Sequence, residues 1–428
     1  MSVKNILNSK INLLFSDQLF RGSFLVFVAS IGSAAMNYLF HLLMGRFLAP
    51  AEYGVLMSLI SLSYLTSVPG STLVTTATKF ASKYKAREDF DAVTHALYWA
   101  TKVVSIFGLF IFGLAIVFRG KLATFLKIPD SMLVVLFFLF IFVSLLGSSP
   151  RGFLQGLLRF KAFSFVSLFT TFLKLALGVG FVLMGWGVFG AVGGLVGSSL
   201  LGLLVAIVLL RKNLRWPFKK NSFSSREILA YAAPTVLVLL CFQSLYNTDV
   251  ILVKHFFTSH QAGIYSSAVT LGRIIYFGFS SVAMVMFPMV SEKLEQGQDF
   301  SGVFKKSFAL VLAGAFLGWL AYTLIPSLLV HTFFGASYAE VTPYLSSFAL
   351  FMGLFSLVNF LIQFFLSIRD FRFLFTLAGA ALLQIFLIWQ FHANLQQVIH
   401  VNIGVALTVL VALLWIYAAG TRNPRPVS

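Results

Sequence analysis

Charge is scarce in this chain, and negative charge most of all. Acidic residues number 13 against 31 lysines and arginines, and charged residues make up only 10% of the 428 positions. A soluble domain carries about 25% charged residues. One this apolar would expose patches that aggregate, so most soluble enzyme classes are excluded. Cysteine is nearly missing too. Cys241 stands alone, which excludes an intrachain disulfide framework and any Cys-rich metal site. The seven histidines are scattered without metal-ligand spacing, so no metal is expected. No Walker-type phosphate loop occurs, which argues against ATP consumption by the chain. The residues through Phe20 lack a continuous apolar run and a small-residue cleavage site, so no cleavable leader is expected.

Hydrocarbon takes the place of charge. Hydrophobic residues make up 59% of the chain and mean hydropathy is +0.93. Since a bilayer core needs roughly 20 apolar residues per helix, the sequence divides into twelve spans. They lie near 22–44, 53–76, 94–118, 131–149, 162–184, 188–210, 228–252, 262–287, 305–328, 343–366, 372–391 and 399–419. Unbroken runs of this length exclude the alternating strands of a barrel. The expected fold is an all-α polytopic membrane protein.

The basic residues orient it. With the N-terminus cytoplasmic, 23 of the 31 fall on inner segments, five on outer segments (Arg46, Arg119, Lys121, Lys127 and Lys254), and three inside spans. This bias predicts that both termini are cytoplasmic. It also reads the +18 net charge as a topology signal, with no nucleic-acid partner. Trp186 and Trp389 suit an outer aromatic belt and Trp415 an inner one. Within residues 3–20, Ile6, Leu7, Ile11, Leu14 and Phe15 recur at roughly helical spacing, which predicts an amphipathic helix on the inner surface.

The chain repeats itself. Residues 45–62, GRFLAPAEYGVLMSLISL, align with residues 254–271, KHFFTSHQAGIYSSAVTL, so that Phe47 meets Phe256, Gly54 meets Gly263 and Leu62 meets Leu271. The same offset carries Ser82 onto Ser291, and a neighbouring one carries Gln155 onto Gln363 and Lys161 onto Arg369. Six spans separate the copies, so both halves share an orientation. Two six-helix lobes related by an axis along the membrane normal are expected. The divisions are an N-terminal segment 1–21, an N-lobe 22–210, a basic linker 211–227, a C-lobe 228–419 and a tail 420–428. Such repeats suit transporters, with substrate near the midplane between lobes.

Three cations lie inside spans. Lys102 is roughly 12 Å deep in the third, within reach of the surface by snorkelling. Lys174 is roughly 20 Å beyond Lys161, and Arg273 roughly 17 Å deep from the opposite side. An isolated charge at such depth costs about 2.5–3.5 kcal/mol or more, so both residues are expected to face water or a partner. Asp249 is the one acid read inside a span. It could pair with Arg273 or Lys254, bind a coupling cation, or cap a wet helix end. The balance is positive, and a low dielectric amplifies it, which points to an anionic substrate such as a phosphate or pyrophosphate. The intramembrane amides Asn37, Gln155, Gln243, Asn247, Asn359, Gln363 and Gln384 either bind sugar hydroxyls or join helices. Gly187, Gly190, Gly193, Gly194 and Gly197 give a small-residue stripe that suits close helix packing.

GRFLAPAEYGVLMSL after the first span, its echo ILVKHFFTSHQAGIYSSAVTLGRIIY, and RGFLQGLLRFKAFSF between the fourth and fifth spans resemble the lipid-linked oligosaccharide flippases of polysaccharide biosynthesis. These are O-antigen-type members of the multidrug/oligosaccharidyl-lipid/polysaccharide exporter superfamily. The resemblance implies a non-enzymatic transporter built from two six-helix bundles. It also implies that an undecaprenyl-pyrophosphate-linked glycan moves from the cytoplasmic to the outer leaflet through a cationic central cavity. By that analogy Lys174 and Arg273 would hold the anionic head. Lys102, Asp249, Asn37, Gln155, Gln243, Asn359 and Gln363 complete the expected cavity set. Partners would be the lipid-linked glycan, membrane lipids and polysaccharide assembly machinery. No cofactor is expected beyond a coupling ion gradient. A multidrug cation antiporter of the same superfamily and a peptidoglycan-precursor flippase are the alternatives. The first would want more membrane acids, and the second typically carries two additional spans.

Overall fold

A long apolar run can satisfy its own peptide groups in hydrocarbon only by closing hydrogen bonds along the segment, and this chain does so throughout. The computed structural model describes residues 18–211, 225–368 and 370–421, and among them no strand occurs. The helices are α1 (Gln18–Phe47), α2 (Pro50–Thr66), α3 (Val68–Ala86), α4 (Phe90–Phe125), α5 (Ser131–Gly156), α6 (Phe160–Phe181), α7 (Gly187–Arg211) and α8 (Ser225–Phe256). They continue with α9 (Ser259–Glu295), α10 (Ser301–Leu324), α11 (Pro326–Phe333), α12 (Thr342–Ser367), α13 (Phe373–Gln390) and α14 (Leu395–Thr421). Residues 3–17 of the expected surface helix, most of the linker and most of the tail fall outside the described residues, and residues 18–20 open α1.

Among the described residues, ten helical stretches are long and apolar enough to cross a membrane, or eleven if the bent pair α2–α3 counts as one. The pair bends by 42° where Val68-Pro69 opens α3. One of the ten runs 52 residues from Phe160 to Arg211. It holds α6 and α7, which turn back on each other through Val182–Trp186, where Gly185 and Gly187 adopt φ of 88° and 50°. A side chain would be strained at both positions. The glycine stripe then works as packing. A Cβ on Gly194 would lie 2.4 Å from the Gly178 nitrogen of α6.

Polar chemistry sets the helix boundaries. Asp89 and Asp130 accept from the backbone nitrogens of Ala92 and Met132 to open α4 and α5. Thr258 and Gln261 form a capping box on α9, each covering a donor the helix cannot. Before α10, Asp299 accepts from the Ser301 backbone nitrogen at 2.8 Å and hydroxyl at 2.6 Å. These bonds hold its carboxyl below the usual carboxylate range.

Two compact units result. The first contains α1, α3–α7 and the start of α8. The second contains α2, the rest of α8 and α9–α14. Residues 48–65 therefore group with the second unit, whereas the sequence boundaries place them in the N-lobe. The reason is close packing within that unit. The ideal Cβ of Gly54 would sit 2.6 Å from the Ser259 carbonyl oxygen, and that of Gly263 would sit 1.8 Å from the Pro50 carbonyl oxygen. The Tyr53 hydroxyl lies 2.7 Å from that of Thr270, and Tyr338 donates to the Leu48 carbonyl at 3.3 Å. Tyr53, Phe334 and Tyr338 pack edge to face.

Candidate functional site

In the first unit, α6 carries Lys174 and α1 carries Asn37. The Lys174 ammonium donates to Asn37 Oδ1 at 2.9 Å and rests 4.4 Å from the centre of the Phe40 ring. Asn37 is fixed in turn by donating to the Ser33 carbonyl one helical turn back. The structure thus joins two of the expected site residues into one polar cluster. Its cation is met by an amide and an aromatic face. Cation–π attraction of this kind is worth about 0.5–2 kcal/mol, which partly offsets the cost of the depth.

In the second unit, α9 carries Arg273, which is only 6% exposed. Its Nη2 donates to Asn247 Oδ1 at 2.9 Å and to the Tyr246 carbonyl at 3.3 Å. The guanidinium lies 4.4 Å from the Tyr246 ring centre and 5.7 Å from that of Tyr64. Gln243 and Asn247 are one turn apart on α8 and bond to each other at 2.9 Å, so Gln243 orients the amide that orients Arg273. The guanidinium Nε is buried with no hydrogen-bond partner.

Asp249 is held by neither cation offered for it. Its Oδ2 accepts from the Tyr265 hydroxyl at 2.6 Å and from Asn402 Nδ2 at 3.2 Å. Asn402 is oriented by Gln384, whose Nε2 donates to Asn402 Oδ1 at 2.9 Å and to the Leu245 carbonyl at 3.2 Å. Asp249 Oδ1 and Gln384 Oε1 are buried without a partner. Lys254 is fully buried and donates instead to the Ser259 hydroxyl. It belongs to the last turn of α8, whereas the charge count had put it in an outer segment.

The remaining candidates scatter. Lys102 is exposed on α4, Gln363 is half-buried, and Asn359 is 6% exposed. Gln155 is half-buried on α5, with its Oε1 3.4 Å from the Thr78 hydroxyl of α3. Sequence reasoning missed Tyr265 and Asn402. A lone asparagine in the last apolar run was the available signal for the second. It also missed Arg151. The fourth span was ended at residue 149, but α5 continues to Gly156 and carries Arg151 inside the helix.

Comparison with known proteins gives concordant results. A sequence profile of the family described as polysaccharide biosynthesis protein matches residues 43–343. An uncharacterized membrane protein of Methanocaldococcus jannaschii is 24% identical over 310 residues, covering 66% of this chain and 72% of the relative. Among solved structures, the lipid II flippase MurJ in an inward closed conformation has a TM-score of 0.71 at 14% identity, covering 93% of this chain and 87% of that one. An inward-facing multidrug resistance MATE transporter of the MOP superfamily has a TM-score of 0.70 at 14% identity, covering 91% and 94%. A MOP superfamily transporter from Pyrococcus furiosus has a TM-score of 0.64 at 15% identity, covering 96% and 97%. The structural likenesses show the fold, and the profile covers most of the chain. The chain belongs to the polysaccharide biosynthesis protein family.

Proposed function

We propose that this protein moves a polyprenyl-(pyro)phosphate-linked oligosaccharide from the cytoplasmic to the outer leaflet of the cell inner membrane by alternating access. It would do so with twelve spans and both termini in the cytoplasm. The observation that carries the reading is the pair of intramembrane cations that, among the described residues, form no ion pair with an acid. Lys174 is met by Asn37 and Phe40, and Arg273 by Asn247, Tyr246 and Tyr64. Neutral partners hold the charge in place without cancelling its field, so each cation can attract a phosphate and release it. Charge of that sign disfavours a cationic drug as cargo. The lipid tail would stay in the bilayer while the sugars cross a polar path, which avoids burying hydrated hydroxyls in hydrocarbon.

Asp249 supplies a site for coupling to an ion gradient. Among the described residues its Oδ1 is buried without a hydrogen-bond partner, and an added proton or monovalent cation would satisfy it. Membrane lipids and polysaccharide assembly machinery complete the proposed partners. The test is transfer of a fluorescent lipid-linked oligosaccharide across proteoliposomes. Wild type should transfer it, and the double variant Lys174→Ala/Arg273→Ala should lose most of that activity while remaining folded. Full transfer by the double variant would remove the charge argument.

A further inference from the structure

The segment RGFLQG, residues 151–156, has a geometry that the sites above leave unused. Gly152 and Gly156 bring α5 against α3 backbone to backbone. A Cβ at Gly152 would lie 2.8 Å from the Val74 carbonyl oxygen, and one at Gly156 would lie 2.5 Å from that of Thr78. Close contact through small residues is a usual way to join helices in lipid. It sets Arg151 and Gln155, one turn apart on α5, at the edge of the contact. From α3 the Thr78 hydroxyl reaches that edge, 3.1 Å from the Gly152 carbonyl oxygen and 3.4 Å from Gln155 Oε1. Ser71 and Thr75, at helical spacing from Thr78, are both exposed. Ser71, Thr75 and Thr78 thus share one face of α3, Ser144, Gly147, Arg151 and Gln155 share one face of α5, and the two faces meet where Thr78 reaches Gln155.

Arg151 does not snorkel out of this seam. Its Nε donates to the Gly147 carbonyl at 3.1 Å, and a Cβ on Gly147 would lie 3.2 Å from Nη2. The guanidinium therefore folds back over the residue that has no side chain. Gly147 is nine residues before the end of α5 at Gly156, roughly 14 Å along the helix. Among the described residues, neither Nη1 nor Nη2 has a hydrogen-bond partner, and no carboxylate pairs with the group. A planar cation with two open donors, beside an amide and a row of hydroxyls, suits the oxygens of a phosphate.

We propose that Arg151 and Gln155, with the α3 hydroxyls of Thr75 and Thr78, form an anion subsite for the phosphate or pyrophosphate group of a polyprenyl-linked molecule. Resting on the flippase reading, this subsite takes the head of the lipid-linked substrate before or after it meets Lys174. Arg151 gives the bidentate charge, Gln155 Nε2 gives a neutral hydrogen bond, and Thr75 and Thr78 join by turning their hydroxyls from the Ser71 and Val74 carbonyls to which they donate.

The test uses the full-length protein in nanodiscs of phosphatidylcholine, with geranylgeranyl pyrophosphate as the binding probe. Wild type should bind it saturably. Arg151→Gln should weaken binding on the order of tenfold or more, Gln155→Leu by less, and Arg151→Lys should fall between wild type and Arg151→Gln. Thermal melts confirm that each variant is folded. Adding phosphatidylglycerol separates the sources. Competition that disappears in Arg151→Gln identifies a phospholipid head as an occupant, and no competition identifies the prenyl pyrophosphate. Equal binding by folded wild type and Arg151→Gln, or no saturable binding by wild type, overturns the subsite. The flippase reading is judged apart, by glycan-lipid transfer in wild type. Transfer that persists with an unchanged KM in Arg151→Gln defeats the subsite alone, and no transfer by wild type defeats the flippase reading alone.

Discussion

Gly263→Ala is the substitution whose consequence the structure fixes most closely. The added Cβ would lie 1.8 Å from the Pro50 carbonyl oxygen and 2.5 Å from the Pro50 carbonyl carbon. The obstructing atoms are backbone, so no side chain can swing aside. Reaching an ordinary contact of about 3.4 Å requires α2 and α9 to part by roughly 1.6 Å. Overpacking of this kind costs about 1–3 kcal/mol. The same displacement would stretch the Tyr53–Thr270 hydrogen bond of 2.7 Å beyond its range, which adds about 1 kcal/mol. The expected loss is about 2–4 kcal/mol. Gly404→Ala is the control. Gly404 lies inside α14 with nothing within 4 Å of its ideal Cβ, so alanine should be neutral or stabilise by up to about 1 kcal/mol through helix propensity. Unfolding of purified protein in mixed micelles, followed by circular dichroism, gives both values. If the two alanine variants unfold within about 0.5 kcal/mol of each other, α2 does not pack on α9 as described and its place in the second unit is wrong.

Further outcomes are equally specific. In a Cys241→Ser background, a cysteine at Ser337 should react with an impermeant thiol reagent in intact cells and one at Ser222 should not, and the reverse pattern would invert the proposed topology. Lys174→Arg should keep more glycan-lipid transfer than Lys174→Gln. Equal transfer by the two would mean that Lys174 acts by packing on Phe40 and bonding Asn37 and not by charge. Asp249→Asn should insert and fold yet lose its response to an imposed ion gradient, read as transfer rate with and without the gradient, and an unchanged response would exclude Asp249 as the coupling group. Asn402→Leu should destabilise by about 1–3 kcal/mol, measured by the same micelle unfolding, because it removes a donor from Asp249 and an acceptor from Gln384 in a buried network.

Helix content was legible because it rests on length and hydrophobicity, which are local properties. Lys174 and Arg273 stood out for the same reason. Their partners did not, since Asn37 is 137 residues from Lys174 and only folding brings the two together. The repeat aligned Gly54 with Gly263 as equivalents, but alignment could not foretell that the two helices touch there. Arg151 was misplaced by its company. It follows Pro150 and precedes Arg159 and Lys161, so the stretch resembled a basic loop. A proline leaves only its own missing N–H and the carbonyl of residue i−4 to be accommodated, and α5 runs on past it to Gly156. Lys254 was misread for the opposite reason, because a lysine near a span end is usually a solvated charge and here it is sealed in.

The polar partners of the second unit explain why one carboxylate and one guanidinium can share a buried region without closing on each other. A direct Asp249–Arg273 ion pair would have removed both charges from use, and a buried pair repays its desolvation only with near-ideal geometry. Instead α8 turns the two groups to different neighbours. Asn247, one turn after Gln243, accepts from Arg273, while Asp249, two residues further on, accepts from Tyr265 and Asn402. Each charged group keeps an unsatisfied atom, Nε on Arg273 and Oδ1 on Asp249. Buried atoms without a partner cost about 1–3 kcal/mol or more each, and an occupant that bonds them would recover that cost. Under the proposed function, Arg273 would serve an anionic cargo and Asp249 a coupling cation. Occupying either site would then change the field felt at the other, so cargo and ion would bind with linked affinities.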